Sequence, residues 1–446
     1  MEELHQYSPA SKLLEKSVFK KQIEDLKAAA EEAAKKIDYD TAHDEEIRKA
    51  IGVVETFLRK SKRVCYGGQA INTYMPETLK FYSEEYDLPD YDFFTPFADR
   101  DVTELVRMLQ KAGFTEVNER IGIHKGTRKI LVNFIPIADI TEIESGLYRT
   151  FLKRSTITNG IHYVDPDVLR MNMYLELSRP AGQVARWQKV FERLLLLNLA
   201  QPMDTCSGKT IKEKKIEPYI RKKILNYIIE EKRVLAGAEL GFIYRASAQE
   251  KLPEMNWILE SGGAIVFFSS DIYKDAEKIQ TMLGYKMTRR QTERGVEDFL
   301  PRRVLIKKGD QTVIMIIEEM ACNAFNELKM EGRTLRIASL DTLVYLYILL
   351  GIFTKDEDKI GTPLLCLAQR LVELENKIRT SPTHSFPLFS IKCSGHQKTY
   401  PSLLREKVAR IEAQKKKSGT RARRRKSQKV EKRRSGTRKA KKHVRI

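Results

Sequence analysis

The chain has no run of eighteen or more apolar residues, so no segment has the length needed to cross a bilayer as a helix. Its opening stretch, "MEELHQYSPASKLLEK", lacks the apolar core of a secretory signal, and the expectation is a soluble intracellular protein, neither secreted nor held at a membrane. Cysteine is scarce. Cys65, Cys206, Cys322, Cys366 and Cys393 are odd in number, widely scattered and without CxxC spacing, which supports neither a disulfide framework nor a zinc cluster. Reduced thiols are the default. Cys393 with His384 and His396 has no fourth ligand at suitable spacing, and the seven histidines form no triad-like group with serine or cysteine. "SGKT" (207–210) lacks a P-loop glycine, because Met203 stands five residues before Gly208.

What is present is a chain of 446 residues with 42% hydrophobic content, enough for two or three packed domains. Its charge is uneven. From Lys415 to Ile446 there are 17 Lys and Arg against one acid, Glu431, which is +16 of the total +20. Such a run cannot bury enough apolar surface to fold alone, so a disordered basic arm is expected. It serves either as a solubilising or import-like tail or as a phosphate-backbone contact, with Lys415, Arg423, Arg424 and Arg425 as the RNA-binding candidates.

Apolar periodicity predicts a helix from Leu13 to Lys36 and an amphipathic one in "EEIRKAIGVVETFLRK" (45–60). "KRVCYGGQAINTYM" reads as a short strand, a turn at Gly67 and Gly68, and a helix start. After a linker to Pro89 come the strand "DYDFF", a helix "DRDVTELVRMLQKAG", a strand around "FTEVNER" and one long apolar strand, "RKILVNFIPIADIT". Helices follow at about 165–178 and 183–198. The pattern is mixed α/β, with helices packed on a small sheet.

Asp90 and Asp92 are one residue apart, so in a strand they project from one face. Asp139 ends a strand that could lie beside them. Three carboxylates at one spot are hard oxygen donors suited to Mg²⁺ or Mn²⁺ bound together with phosphates. A Gly-Gly turn before a helix N-terminus would let backbone N–H groups approach a triphosphate without Cβ interference. Each feature alone is weak: a double glycine is usually only a turn, and a lone DxD is usually surface. Their order and strand context make the stronger case.

This combination resembles the nucleotidyltransferase superfamily of the DNA polymerase β type: a glycine turn, an acidic pair on a strand, and a third acid on a later strand. "YGGQAIN", "PDYDFF" and "LELSRPAGQVARWQKVFERLLLLN" are more specifically similar to the poly(A) polymerase catalytic subunit of large nucleocytoplasmic DNA viruses, over about residues 45 to 200. The gap between Gly68 and Asp90 is longer than in many superfamily members, so residues 73–89 must loop out. The resemblance implies a template-independent enzyme that adds AMP from ATP to RNA 3′ ends by a two-metal mechanism, using two Mg²⁺ or Mn²⁺ ions. Asp90, Asp92 and Asp139 would be catalytic and metal-binding. Gly67, Gly68, Lys153, Arg186 and Lys189 would bind nucleotide and Arg193 RNA, with Arg186, Lys189 and Arg193 spaced to share a helix face. It further implies a viral setting, in the virion or the host cytoplasm. A homodimer and a cap-methyltransferase or processivity partner both stay open. So do the alternatives of another terminal nucleotidyltransferase, such as a uridylyltransferase, and a non-catalytic basic RNA-binding subunit.

The second half echoes the first. "EPYIRKKILNYIIEEKRVLAGAELGF" (217–242) parallels "EEIRKAIGVVETFLRKSKRVCYGGQAI" (45–71), and "AIVFFSSDIYKDAEKIQTML" (264–283) parallels "DYDFFTPFADRDVTELVRML" (90–109). Ala264 and Val266 fall where Asp90 and Asp92 stand, while Glu318 or Glu319 is a candidate echo of Asp139. The expected organisation is an N-terminal helical segment (1–44), a catalytic nucleotidyltransferase domain (45–203), a degenerate copy (204–404) serving as scaffold or RNA surface, and a disordered basic tail (405–446).

Overall fold

The computed structural model describes residues 17–83, 85–206, 216–247, 263–296, 299–330, 332–354, 362–381 and 384–416. It divides into two compact units, residues 1–120 with 128–165, and residues 121–127 with 166–446.

The first unit begins with the helices Ser17–Ala42 and Glu45–Ser61. The second of these forms because its apolar residues recur on one stripe, and Ile47, Ala50, Ile51, Val54, Phe57 and Leu58 are all buried. Asp44 starts it by accepting the Ile47 N–H at 3.1 Å, and Lys62 ends it in a left-handed turn at φ 54°. The sheet that follows contains β1 (Val64–Tyr66), β2 (Tyr91–Thr95), β3 (Val117–Ile121), β4 (Thr127–Val132), β5 (Ile135–Glu142), β6 (Thr156–Thr158) and β7 (Ile161–Tyr163). Its strand order is β3-β4-β5-β2-β1-β7-β6. β2 runs parallel to β5 and antiparallel to β1, and β1 runs parallel to β7.

The expected single strand through "RKILVNFIPIADIT" is two strands. Asn133 and Phe134 both take positive φ, 49° and 67°, and make a two-residue turn between β4 and β5. An apolar run marks burial but not chain reversal, and this turn has no glycine to announce it.

The second unit repeats the plan with β8 (Val234–Leu235), β9 (Ile265–Ser269), β10 (Arg289–Glu293), β11 (Arg303–Lys308), β12 (Gln311–Glu318), β13 (Asn323–Met330), β14 (Arg333–Ala338) and β15 (Cys393–Ser394). The order β10-β11-β12-β9-β8-β14-β13-β15 reproduces that of the first sheet and adds β15 at its edge. Registers repeat as well. Phe94 pairs with Val64 and Phe93 with Cys65, as Phe268 pairs with Val234 and Phe267 with Leu235. Lys62 at φ 54° is matched by Lys232 at φ 53°. The tandem organisation read from the sequence is thus present in the topology, although the cut by compactness falls at residue 165. Helix Pro166–Leu177 packs against helix Leu340–Phe353, which is buried along nearly its whole length.

Two expectations are corrected here. Cys206 pairs with Cys366 and Cys322 with Cys393, and only Cys65 is a free, buried thiol. The partners lie 160 and 71 residues apart in sequence, so spacing could not reveal them. The segment expected as a disordered tail from 405 begins as a helix over residues 400–416, which includes the exposed Lys415. Arg410 of this helix donates to the carbonyls of Gly122 and Ile123. Arg423, Arg424 and Arg425 lie outside the described residues, as do SGKT and the rest of the arm. Among the described residues no helix is long and apolar enough to cross a membrane.

Candidate catalytic site

The site is built on three adjacent strands of the first sheet. Tyr66 on β1 is in register with Asp92 on β2, and Asp92 is in register with Asp139 on β5. Residues abreast on neighbouring strands project from the same face, so Asp92 and Asp139 stand side by side. Tyr91 turns to the other face, where it is buried and donates its hydroxyl to Glu55 at 2.9 Å. Asp90 sits one residue before the strand, at its mouth, two residues from Asp92 and so on the same side.

Gly67 opens the helix Gly67–Thr73 at φ 78°, and its Cα lies against the Asp92 carboxyl. A Cβ there would come within 2.1 Å of Asp92 Oδ2. Gly68 follows in the first turn of the same helix. Tyr66 stacks on Phe94, with centroids 3.9 Å apart, and its hydroxyl lies 2.9 Å from Thr141 Oγ1. Burial and then the Asp92 charge keep the Tyr66 phenol and the Cys65 thiol protonated. The long linker before Asp90 is held by buried Asn72, whose side-chain oxygen accepts the N–H groups of Phe81 and Tyr82 at 3.0 and 3.2 Å.

The electrostatics are those of an anionic cluster. Asp90 keeps a path to solvent, yet the protein around its carboxyl and then the neighbouring Asp139 charge push it up to about 6, and Lys129 partly offsets this. Lys129 Nζ donates to Asp139 Oδ2 at 2.5 Å. The other oxygen, Asp139 Oδ1, is buried and has no hydrogen-bond partner among the described residues. A buried orphan oxygen among carboxylates fits a hard divalent cation of the Mg²⁺ or Mn²⁺ kind. Among the described residues, no three Asp, Glu, His or Cys side chains already converge tightly enough to form a cation cage.

The other expected contacts are distributed over both units. Lys153 is exposed at the end of helix Ser145–Lys153, in the first unit with Gly67, Gly68 and the three aspartates. Its neighbour Arg154 pairs with Asp165 at 3.2 Å. Arg186, Lys189 and Arg193 belong to the second unit. Arg186 lies in the 3₁₀ turn Val184–Arg186 that leads directly into helix Trp187–Ala200, which carries Lys189 and Arg193, and its Nε is 3.4 Å from Glu176. Trp187 is structural: its Nε1 donates to the Glu176 carbonyl, and its ring packs beside Phe389.

In the second sheet the corresponding positions are apolar. Ala264 and Val266 replace Asp90 and Asp92, and Val266 is in register with Met315, the equivalent of Asp139. The candidate echo at Glu318 or Glu319 is therefore corrected. Glu318 is in register with Ser269, as Glu142 is with Thr95, so Glu318 repeats Glu142. The glycine turn is filled from within as well: the space a Cβ on Gly237 would need is taken by Glu239 Oε2, 1.9 Å away, and Glu239 pairs with Arg221 at 3.5 Å. Sequence reading missed Lys129 and Asn72, because a lysine in an apolar strand and an asparagine in a helix have no distinguishing spacing.

A glycine turn thus abuts one of two in-register carboxylates on a short sheet covered by helices. Residues 52–183 match the family model described as poly(A) polymerase catalytic subunit, a stretch that includes Gly67, Gly68, Asp90, Asp92, Asp139 and Lys153 and stops before Arg186. Over 200 residues, 43% of this chain and 32% of the relative, the sequence is 30% identical to an Acanthamoeba polyphaga mimivirus protein assigned as a poly(A) polymerase catalytic subunit. Over 181 residues, 39% of this chain and 38% of the relative, it is 28% identical to the African swine fever virus (isolate Pig/Kenya/KEN-50/1950) protein with the same assignment. The chain spans about a third of the length of these relatives. The crystal structure of the Megavirus polyadenylate synthase is similar in fold, with a TM-score of 0.72 and 18% identity, covering 90% of this chain and 84% of that one. The resemblance read from "YGGQAIN" and "PDYDFF" is borne out.

Proposed function

We propose that this protein is a template-independent polyadenylate polymerase, transferring AMP from ATP to an RNA 3′ end and releasing pyrophosphate. The observation that carries the reading is the in-register pair Asp92 and Asp139 with Gly67 pressed against it, inside the stretch that matches the poly(A) polymerase family. Asp90, Asp92 and Asp139 would hold two divalent ions, Mg²⁺ or Mn²⁺. When bound, such ions activate the attacking 3′-hydroxyl and neutralise the triphosphate. The chain's own part is positioning. β2 and β5 fix the carboxylates on one face, and the Gly67 turn leaves room beside them for a phosphate chain. Exposed Lys153 supplies positive charge in the same unit, and Arg186, Lys189 and Arg193 do so in the second. The basic arm with Lys415, Arg423, Arg424 and Arg425 adds a contact to the RNA backbone. The second copy has apolar side chains where the acids would be and a filled turn, so it acts as scaffold or RNA surface. The named relatives are viral proteins, which supports a viral origin for this one.

The test is primer extension with a short end-labelled RNA, each ribonucleoside triphosphate separately, and Mg²⁺ or Mn²⁺. The proposal expects a ladder chiefly with ATP, abolished in folded Asp92→Ala. A ladder with UTP would make it a uridylyltransferase; no extension with any nucleotide would favour an RNA-binding subunit.

A further inference from the structure

Among the described residues, Lys129 is the cation held against Asp139. Lys129 reaches from β4 to place Nζ 2.5 Å from Asp139 Oδ2. The two partners differ in freedom: the Lys129 side chain is 42% exposed and that of Asp139 13%. The lysine can swing into water while the aspartate stays in the sheet. Its charge also acts on Asp90, where it opposes the repulsion from Asp139. In the second sheet, where Met315 replaces the aspartate, the residue paired with it on β11 is the apolar Leu305.

We propose that Lys129 is a tethered counter-ion that occupies Asp139 Oδ2 until a divalent cation displaces it, and that this competition sets the affinity of the site for metal. The inference rests on the reading of Asp90, Asp92 and Asp139 as metal ligands. A half-buried carboxylate cluster without a cation is self-repelling, and a lysine on a flexible stem relieves that repulsion without blocking the site permanently. Binding a metal at Asp139 breaks one charge-assisted hydrogen bond, so the lysine weakens metal affinity by roughly tenfold relative to a neutral residue of the same length. Once displaced, the ammonium is left at the mouth of the site beside Asp90, positioned to meet an incoming anionic substrate.

Lys129 is thus a positioning residue, and its test is metal binding without substrate. Mn²⁺ is titrated into the full nucleotide-free chain and the free ion is read by electron paramagnetic resonance. The wild type is compared with Lys129→Met, Asp139→Asn and the double variant, and circular dichroism checks each fold. Lys129→Met should bind Mn²⁺ about tenfold more tightly, and Asp139→Asn should bind it more weakly in both backgrounds. If Lys129→Met binds equally or more weakly while Asp139→Asn still weakens binding, the counter-ion role is wrong and the metal site stands. If Asp139→Asn changes nothing in either background, the metal reading falls and the counter-ion role with it. Lys129→Gln is read in parallel, so that a folding defect peculiar to methionine cannot decide the outcome.

Discussion

Gly67 lies against Asp92 so closely that a single added methyl would come within 2.1 Å of the Asp92 carboxyl oxygen. The residue also has φ 78°, where any L side chain is strained. Gly67→Ala therefore has two costs, backbone strain of about 1 kcal/mol and displacement of the carboxylate. The expected outcome is a modest fall in melting temperature with a loss of about 100-fold or more in the rate of AMP addition, since misplacement by an ångström is costly in catalysis. Gly68→Ala, which has no positive φ to satisfy, should be milder in both readouts. Calorimetry beside single-turnover primer extension separates the two effects.

Each unit carries the same buried ion pair at the same place in its fold. Arg63 Nε and Nη2 reach Asp101 Oδ2 and Oδ1 at 2.6 and 2.9 Å, and Thr95 Oγ1 also donates to Asp101. In the second unit Arg233 pairs with Asp275 at 2.8 Å, and Tyr227 donates to the same carboxyl. Removing one partner strands the other charge in the interior, at a cost of about 3–5 kcal/mol. Arg63→Met should lower the unfolding free energy, read from denaturant titration, by that amount, and Arg63→Met with Asp101→Leu should recover much of it. A loss in the double variant equal to the sum of the losses in Arg63→Met and Asp101→Leu would mean that the pair does not couple.

Much of this fold was legible because its periodicities are strong. The stripe from Ile47 to Leu58 and the repeated Phe-Phe strands of the two copies needed only spacing to be found. The aspartate pair was legible for the same reason, since alternation fixes which strand residues share a face. What escaped depends on contacts that spacing does not encode. The turn at Asn133 and Phe134 sits inside an apolar run, and the register of Met315 against Val266 is set by a parallel pairing between strands distant in sequence. Lys129 became visible only when the sheet brought it to Asp139.

The cysteine pairs bear on stability. Cys206–Cys366 closes a loop across 160 residues and Cys322–Cys393 one across 71. Long closed loops restrict the unfolded chain strongly, so losing either bridge should cost about 2–5 kcal/mol. Peptide mapping under non-reducing conditions should recover both pairs and leave Cys65 as the alkylated thiol after unfolding. Dithiothreitol should lower the melting temperature of the wild type and leave a Cys206→Ser, Cys322→Ser, Cys366→Ser, Cys393→Ser variant unchanged.

A second polar cluster in the interior makes stability depend on pH. Glu375 accepts from Tyr174 at 2.6 Å and from Arg379 at 2.8 Å, and Arg379 also donates to Asp341 at 2.8 Å. Burial is the main cause that raises Glu375 from its ordinary 4.5 to about 8. The nearby Asp341 charge adds to this while Arg379 opposes it, and burial raises Asp341 in the same direction. A carboxyl whose folded value lies above its unfolded one binds more protons in the native state. Its favourable contribution is complete below about 4.5 and is lost as pH rises through about 8. Denaturant midpoints measured from pH 5 to 8.5 should therefore fall with rising pH over that range, and Glu375→Gln should flatten the slope. Gln cannot ionise and keeps one oxygen to accept from Arg379, while its amide N–H can donate to the Tyr174 hydroxyl oxygen. A Glu375→Gln protein with the wild-type slope would assign the pH dependence to other groups, whereas a flattened slope with an unchanged midpoint near pH 5 would identify Glu375 as the group that titrates.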